Sequence, residues 1–204
     1  MGEERAPIDF YFDFASPYGY LGSLRIDTLA AQHGRRVAWR PILLGAVFKI
    51  TGMKPNMHQP LRGAYLRRDT ARIARDWGVP YCFPAVMPLN PVAASRAFYW
   101  LEATDPDRAR DLAAALYHAH WGQGRDLEKP EAVAEVAALA LGLDGAALLA
   151  GLQQPEVKDR LRRETETAIA RGVFGAPFFF VDDEPFWGCD RLDQIDRWLA
   201  RGGW

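Results

Sequence analysis

The sequence has 204 residues, enough for one domain with a substantial core or for a domain that carries an insertion. Its 25 Lys and Arg residues nearly balance its 26 Asp and Glu residues, and the formal net charge is −1 at pH 7. This balance argues against nucleic acid as a partner, because nucleic-acid-binding domains concentrate positive charge. The most apolar long region, residues 132–152, contains Glu135 and Asp144 and is therefore typical of packed helices, not of a membrane span.

The cysteines and histidines do not form a metal-binding or redox pattern. Cys82 and Cys189 lie far apart in the sequence. His118 and His120 are two residues apart and hence on different faces of a helix, which is a poor spacing for metal ligands. We therefore assign no metal site. Residues 1–5 contain no apolar signal region, and with reduced cysteines this predicts a cytoplasmic location.

The segment from Ile8 to Tyr20 combines the end of a strand with the start of a helix. Residues 8–14 are apolar and aromatic, the composition of a buried strand. Ser16 then suits the N-cap position, and Pro17, with its fixed φ, suits the first helical position. Apolar residues recur near helical spacing as far as Leu29. The helix start attracts anions, because its first N–H groups lack partners and the helix dipole adds to them.

The motif Ser16-Pro17-Tyr18-Gly19 has the form of a Cys-Pro-Tyr-Cys redox motif without either sulfur. Thioredoxin-like proteins place their attacking cysteine at such a strand-to-helix turn, where the helix terminus lowers the thiol pKa. A turn that stabilises a thiolate but has no thiol can stabilise the thiolate of another molecule, such as glutathione. The alternative at this point is that Ser16 is only an N-cap.

The middle of the chain predicts a βαβ unit followed by an insertion of helices. A second strand over residues 36–42 completes the βαβ unit, so the two strands should be parallel. The stretch from Leu43 to Leu61 is predicted to be loop-rich, and its polar side chains are either ligand contacts or a solvated loop. The sequence pattern predicts an inserted all-helical subdomain over residues 63–154. Helices are predicted over 65–77, 92–102 and 107–121, and further helices are predicted to begin near Pro130 and Gly145.

The end of the chain returns to strand patterns. A helix over residues 155–171 precedes strands near 173–181 and 185–187, joined by a tight turn, and a last helix covers 192–199. This order predicts an α/β fold: a thioredoxin-like βαβ…ββα sheet domain of residues 1–62 and 155–204. In that arrangement Ala176-Pro177 faces the first helix. A cis Pro177 would leave the Ala176 backbone free to pair with a peptide-like ligand, and the alternative is a plain proline at a strand start.

A second candidate ligand contact lies where Gly188-Cys189-Asp190-Arg191 enters the last helix. Backbone N–H groups there, with the Cys189 and Asp190 side chains, could hold a γ-glutamyl group, its ammonium on Asp190. The alternative is that Asp190 caps the helix.

Together these motifs resemble the 2-hydroxychromene-2-carboxylate isomerases, which belong with the kappa-class glutathione transferases. The resemblance covers essentially the whole chain. Its segments are Asp9 to Pro17, Leu44 to Lys49, Trp121 to Gly124, Phe174 to Pro177 and Trp187 to Arg191. It implies a homodimer that uses glutathione to interconvert 2-hydroxychromene-2-carboxylate and trans-o-hydroxybenzylidenepyruvate. The glutathione thiolate, held by the Ser16 hydroxyl, would add to the conjugated system, permit rotation and leave again.

The resemblance also assigns roles to individual residues. The aromatic acid would contact Lys49, Asn56 and Arg62. Glutathione would be bound by Ser16, Ala176, Pro177, Trp187, Gly188, Cys189 and Asp190.

Three positions depart from the family pattern, and other functions stay open. The chain has Met53 where relatives carry Asn, Cys189 where they carry Ser or Asn, and no tyrosine near Met87. The alternatives are a kappa-like transferase or peroxidase acting on other electrophiles and a non-catalytic glutathione binder. A disulfide oxidoreductase is disfavoured, because the chain has no Cys-x-x-Cys motif.

Overall fold

The computed structural model describes residues 6–204, and the N-terminal segment 1–5 lies outside the described residues. Four strands form one sheet in the order β2-β1-β3-β4. Strands β1 and β2 are parallel, whereas β3 is antiparallel to both β1 and β4. The predicted parallel βαβ unit and the predicted C-terminal hairpin are therefore confirmed. The strands are β1 Ile8–Phe12, β2 Val37–Pro41, β3 Phe178–Val181 and β4 Glu184–Trp187.

Helices surround this sheet and supply all the regular structure of residues 62–151. A π-helical turn, His118–Gly122, follows α5, and 3₁₀ turns cover Asn56–His58 and Cys189–Arg191. Within residues 6–204 no helix is both long and apolar enough to cross a membrane. The α-helices are α1 Pro17–Gln32, α2 Leu44–Thr51, α3 Arg62–Trp77, α4 Val92–Glu102, α5 Pro106–Tyr117, α6 Pro130–Leu141, α7 Gly145–Gly151, α8 Pro155–Ala170 and α9 Leu192–Arg201.

The largest hydrophobic cluster joins the sheet to the helices of the insertion. On one face of the sheet the ring of Phe10 stacks on that of Phe179, with centroids 5.2 Å apart. Phe12 extends the cluster to Phe98 of α4 and Tyr117 of α5. The sheet and the insertion thus share one core, and the division into 1–62 with 155–204 and 63–154 stays a prediction.

A smaller hydrophobic cluster lies on the other face of the sheet. It explains why the prediction of a loop after β2 was wrong. Residues 44–51, predicted to be part of a loop, form α2. The segment lacks an N-cap side chain and contains Gly45, so local sequence favours the helix weakly. Burial of Val47 against Tyr11 and Phe178 supplies the stabilisation that the local sequence does not.

Candidate active site

The start of α1 presents a hydroxyl and an unpaired backbone donor. Ser16 is the N-cap residue, and its Oγ accepts a hydrogen bond from the Gly19 N–H at 3.1 Å. Pro17 has no N–H to donate. Within residues 6–204 the Tyr18 N–H donates no hydrogen bond, so it is available to an anion. The predicted positive helix end with Ser16 at its cap is therefore present.

Aromatic side chains of the helical insertion hold the turn that precedes Ser16. The Tyr117 hydroxyl donates to the Asp13 carbonyl at 2.9 Å, and the Trp121 indole N–H donates to the Phe14 carbonyl at 2.9 Å. A Cβ at position 19 would overlap the Tyr117 oxygen, so glycine at the end of the Ser-Pro-Tyr-Gly motif makes room for this contact. The insertion thus shapes the turn, a role the sequence analysis did not assign to it.

A buried carboxyl group ties the same turn to α2. One Asp13 carboxylate oxygen accepts the Ala15 N–H and the other accepts the Leu44 N–H, each at 2.8 Å. Burial raises the pKa of Asp13 to about 6, although both N–H groups oppose the rise. The start of α2 is therefore fixed to the residues that lead into Ser16.

The loop before β3 lies against Ser16. The Ser16 hydroxyl donates to the Ala176 carbonyl at 2.8 Å, across 160 residues of sequence. The Ala176–Pro177 peptide bond is cis, and in the described part of the chain the Ala176 N–H donates no hydrogen bond. The Pro177 ring packs on Gly22 of α1. Ser16, Ala176 and Pro177, which the sequence analysis places in one site, thus come together.

The turn that enters α9 continues this surface. The Gly188 N–H donates to the Pro177 carbonyl at 3.0 Å. Cys189 is buried, and burial, with Asp190 and Asp69 adding to it, raises the pKa of its thiol to about 12. Asp190 is exposed, pairs with Arg191 at 3.3 Å and makes no capping hydrogen bond. The alternative that Asp190 caps the helix is therefore wrong.

Asp69 of α3 was not singled out by the sequence, yet it lies beside this surface. It accepts a hydrogen bond from the Tyr18 hydroxyl at 2.8 Å and also binds Tyr65 and Arg72. Burial, reinforced by Asp69, raises the pKa of Tyr18 above its ordinary value, so this phenol stays neutral. An aspartate within a basic helix gave no signal from which this contact could have been predicted.

Trp187, assigned by resemblance to the γ-glutamyl end of glutathione, packs on the other side of the loop. Its ring meets Phe174 edge to face with centroids 4.8 Å apart. Gly175 lies directly against the indole, and the indole is half exposed.

The residues assigned to the aromatic acid lie on α2, in the 3₁₀ turn that follows it and at the first position of α3. Arg62 donates to the Gln59 side chain at 3.1 Å, and the Gln59 amide donates to the Asn56 side chain at 3.3 Å. Lys49 is exposed on α2, and its side-chain ammonium makes no hydrogen bond or ion pair within residues 6–204. No hydrogen bond in the described structure joins these three residues to Ser16, and their role stays a prediction.

These features define a thioredoxin-like protein that has serine in place of the redox cysteine. They are the βαβ…ββα sheet, the start of α1 beside the proline loop, and Ser16 at the position of that cysteine. Residues 7–200 match the model of the DsbA-like thioredoxin domain family. The chain belongs to this family and, within it, to the group of the 2-hydroxychromene-2-carboxylate isomerases, and it is an enzyme.

Three comparisons illustrate this relationship. The 2-hydroxychromene-2-carboxylate isomerase of Sphingobium xenophagum is 34% identical over 197 residues, which cover 94% of this chain and 97% of that protein. Glutathione S-transferase kappa 2 of Caenorhabditis elegans is 27% identical, with 96% of this chain and 92% of that protein covered. A solved 2-hydroxychromene-2-carboxylate isomerase structure superposes with a TM-score of 0.87 at 31% identity and covers 96% of this chain and 95% of that one. The predicted fold class and family resemblance are thus confirmed.

Proposed function

We propose that this enzyme uses glutathione to interconvert 2-hydroxychromene-2-carboxylate and trans-o-hydroxybenzylidenepyruvate. The observation that carries the proposal is the Ser16 hydroxyl, which caps α1 and touches the Ala176 carbonyl of the proline loop. Beside it the N–H groups of Tyr18 and Ala176 have no acceptor among residues 6–204. A hydroxyl and unpaired N–H groups at a helix start suit a thiolate joined to a peptide.

The predicted glutathione residues can be given distinct tasks. The Ala176 backbone would pair with the cysteinyl residue, with Pro177 beside it. Trp187 and the turn Gly188-Cys189-Asp190 would receive the γ-glutamyl end: its carboxylate on backbone N–H groups, its ammonium on the exposed Asp190 carboxylate. Burial, then Asp190 and then Asp69 raise the pKa of the Cys189 thiol, and the negative charge of Asp69 likewise favours an ammonium group at this end.

The Ser16 hydroxyl would act as a hydrogen-bond donor and not as a nucleophile. It now donates to the Ala176 carbonyl and would turn to the thiolate when glutathione binds. Exchanging the neutral bond to Ala176 for a charge-assisted bond to the thiolate gains about 1–1.5 kcal/mol, and the helix start adds about 0.3–1 kcal/mol. Each 1.36 kcal/mol lowers the thiol pKa by about one unit, so the thiolate becomes abundant near pH 7.

The isomerisation then needs no net consumption of glutathione. Bound glutathione would supply a thiolate that adds reversibly to the conjugated carbon–carbon double bond of the ring-opened substrate, so that this bond can rotate before the C–S bond breaks again. The Ser16 hydroxyl would stabilise the thiolate before it adds and after it leaves, and the Ala176 backbone would hold the cysteinyl residue in place.

The carboxylate of the aromatic acid needs a cation when it leaves water, since an unpaired buried charge costs several kcal/mol. Lys49 is the cation on α2, whose start is tied to the Ser16 turn through Asp13. Asn56 and Arg62, joined through Gln59, would support the same acid from the following segment.

The deciding experiment measures isomerisation with and without glutathione, and conjugation of a generic electrophile beside it. We expect isomerisation that requires glutathione and leaves its concentration unchanged. Stoichiometric loss of glutathione to the electrophile, without isomerisation, would favour a kappa-like transferase, which the kappa relative supports as the second candidate. Binding of glutathione without either reaction would indicate a non-catalytic binder.

We propose further that the enzyme is a cytoplasmic homodimer. The family resemblance supports the dimer, and sedimentation equilibrium tests it directly. The location follows from the use of glutathione, the abundant thiol of the reducing cytosol, and from two free cysteines. Cell fractionation tests the location.

A further inference from the structure

A buried carboxyl group without a cation lies beside the proposed thiol site. Asp13 is 1% exposed, its carbonyl accepts the Ser16 N–H at 2.8 Å, and no charged side chain of residues 6–204 pairs with its carboxylate. Burial raises the pKa of Asp13 to about 6, so near pH 7 the group is ionised although the fold is more stable with it neutral. A buried charge that lowers stability at a proposed reaction site indicates a functional task.

The two carboxylate oxygens of Asp13 have partners of different kinds. One accepts the N–H of Ala15, two residues along the chain, and the other accepts the N–H of Leu44, 31 residues away. The first bond closes an Asx turn, which asparagine forms as well as aspartate does. The second bond is the one that needs a carboxylate, because only the ionised group has two oxygens that both accept.

Helix α2 depends on acceptors that other elements supply. Its N-cap residue, Leu43, has no side-chain acceptor, so the Leu43 N–H donates to the Thr165 hydroxyl at 3.3 Å and the Leu44 N–H donates to Asp13 at 2.8 Å. A carboxylate at a helix start also interacts favourably with the helix dipole. Asp13 thus caps α2 from a distant part of the chain, and Lys49 lies on the helix that it holds.

The groups that face Asp13 leave proton uptake to the carboxyl group itself. From the Ser16 turn and from α2 they are the backbone N–H groups of Ala15 and Leu44. From α5 it is Tyr117, whose hydroxyl donates to the Asp13 carbonyl and stays neutral, because burial, reinforced by Asp13, raises its pKa well above the ordinary value. The protonation state of Asp13 therefore decides whether both of its N–H partners are held.

We propose that Asp13 is a positioning residue for the acid substrate: its carboxylate holds the start of α2, and with it Lys49, in a fixed place relative to the Ser16 turn. This inference rests on the proposed function and adds to it a residue that touches neither ligand. A protonated carboxyl group keeps one acceptor oxygen, which the local Asx turn retains, so proton uptake releases α2 and leaves Ser16 in place. Binding of the aromatic acid weakens on protonation, whereas binding of glutathione does not.

The first test measures KM for the aromatic acid from about pH 8 to about pH 5 in the wild type, Asp13→Asn and Asp27→Asn. We expect the wild-type KM to rise about three- to tenfold over this range, up to the scale of one charge-assisted bond. Asp13→Asn, whose amide has one acceptor oxygen, should show the raised KM at about pH 8 and little change below it. Loss of the thiolate at low pH lowers kcat in all three proteins, so the separation of KM from kcat isolates Asp13.

Asp27→Asn is the matched control. Burial raises the pKa of this carboxyl group of α1 too, but its hydrogen-bond partner is the Trp39 indole at 3.2 Å, and neither α2 nor the Ser16 turn depends on it. Its profile should equal that of the wild type. A wild-type KM that does not vary with pH, or equal profiles for Asp13→Asn and the wild type, would overturn the inference. A weaker glutathione complex in Asp13→Asn with an unchanged KM for the acid would also overturn it, because Asp13 would then act on the thiol site.

A second measurement needs no catalysis. Amide hydrogen exchange in ¹⁵N-labelled protein reads the two bonds separately: Asp13→Asn should lower the protection factor of the Leu44 N–H and keep that of Ala15. The wild type should show the same change as pH falls through about 6. Salicylate, titrated by calorimetry, should bind Asp13→Asn about three- to tenfold more weakly than the wild type at about pH 8.

The two measurements separate this inference from the proposed function. If exchange and salicylate binding change as expected but glutathione supports no isomerisation in the wild type, the proposed function fails and the positioning role stands. If isomerisation requires glutathione but Leu44 stays protected and KM does not change in Asp13→Asn, the positioning role fails and the proposed function stands.

Discussion

Replacing Ser16 with alanine tests the central contact of the proposed site. In the free enzyme the hydroxyl donates to the Ala176 carbonyl at 2.8 Å, so binding a thiolate exchanges this neutral bond for a charge-assisted one. The first contributes about 0.5–1.5 kcal/mol and the second about 1.5–3 kcal/mol. The net gain of about 1–1.5 kcal/mol corresponds to about one pKa unit. We therefore expect Ser16→Ala to raise the pKa of bound glutathione by about one unit.

The assay is the ultraviolet difference absorbance of the thiolate, followed as a function of pH with glutathione at saturation. Ser16→Ala also removes an N-cap, which costs about 1 kcal/mol of stability, so unfolding must be recorded in parallel. Ser23→Ala is the matched control, because the Ser23 hydroxyl donates to the Tyr20 carbonyl within the same helix and should leave the thiol pKa unchanged. Identical titrations for wild type and Ser16→Ala would refute the reasoning and reduce Ser16 to a cap.

Three further predictions address the rest of the site. Lys49→Met should raise KM for the aromatic acid about tenfold or more, the scale of one charge-assisted bond, and should leave glutathione affinity unchanged. Lys54→Met is the control, and equal losses toward both ligands would place Lys49 in the thiol site. Cys189→Ser should keep glutathione-dependent turnover. In the native protein iodoacetamide should label the exposed Cys82 but not the buried Cys189, as measured by mass spectrometry of peptides, and labelling of Cys189 would contradict its burial. For Asp13, burial raises the pKa from 3.8 to about 6, so the folded state holds this proton more tightly than the unfolded state and stability falls as pH rises through that interval. The unfolding free energy of Asp13→Asn relative to wild type should therefore increase by about 2 kcal/mol between pH 4 and 6. A difference that does not vary with pH would show that this carboxyl does not titrate there.

Local chemistry made the ends of the chain predictable. The run of aromatic residues before Ser16 and the Ser-Pro pair fix a strand, a turn and a helix start within a few residues, and the structure has all three. Proline and glycine near Pro177 similarly mark the return to the sheet. These features depend on propensity and capping, which a sequence shows directly.

The errors and omissions concern features that only packing determines. Helix α2 has no N-cap side chain and depends on Val47 meeting the sheet. The contact between Tyr18 and Asp69 joins two helices whose relative position the sequence does not show. The packing of Trp187 against Phe174 depends on the register of β3 with β4.

The pairing of β1 with β3 has a consequence for biosynthesis. During synthesis β1, α1 and β2 leave the ribosome well before residues 178–181, so one edge of β1 stays unpaired while the helical block is made. Such an open, aromatic edge favours association between nascent chains. The contact of Ser16 with Ala176 closes a loop of 160 residues, which makes it one of the late events of folding. A ribosome-bound chain therefore gains its thiol site only after the last strands have emerged.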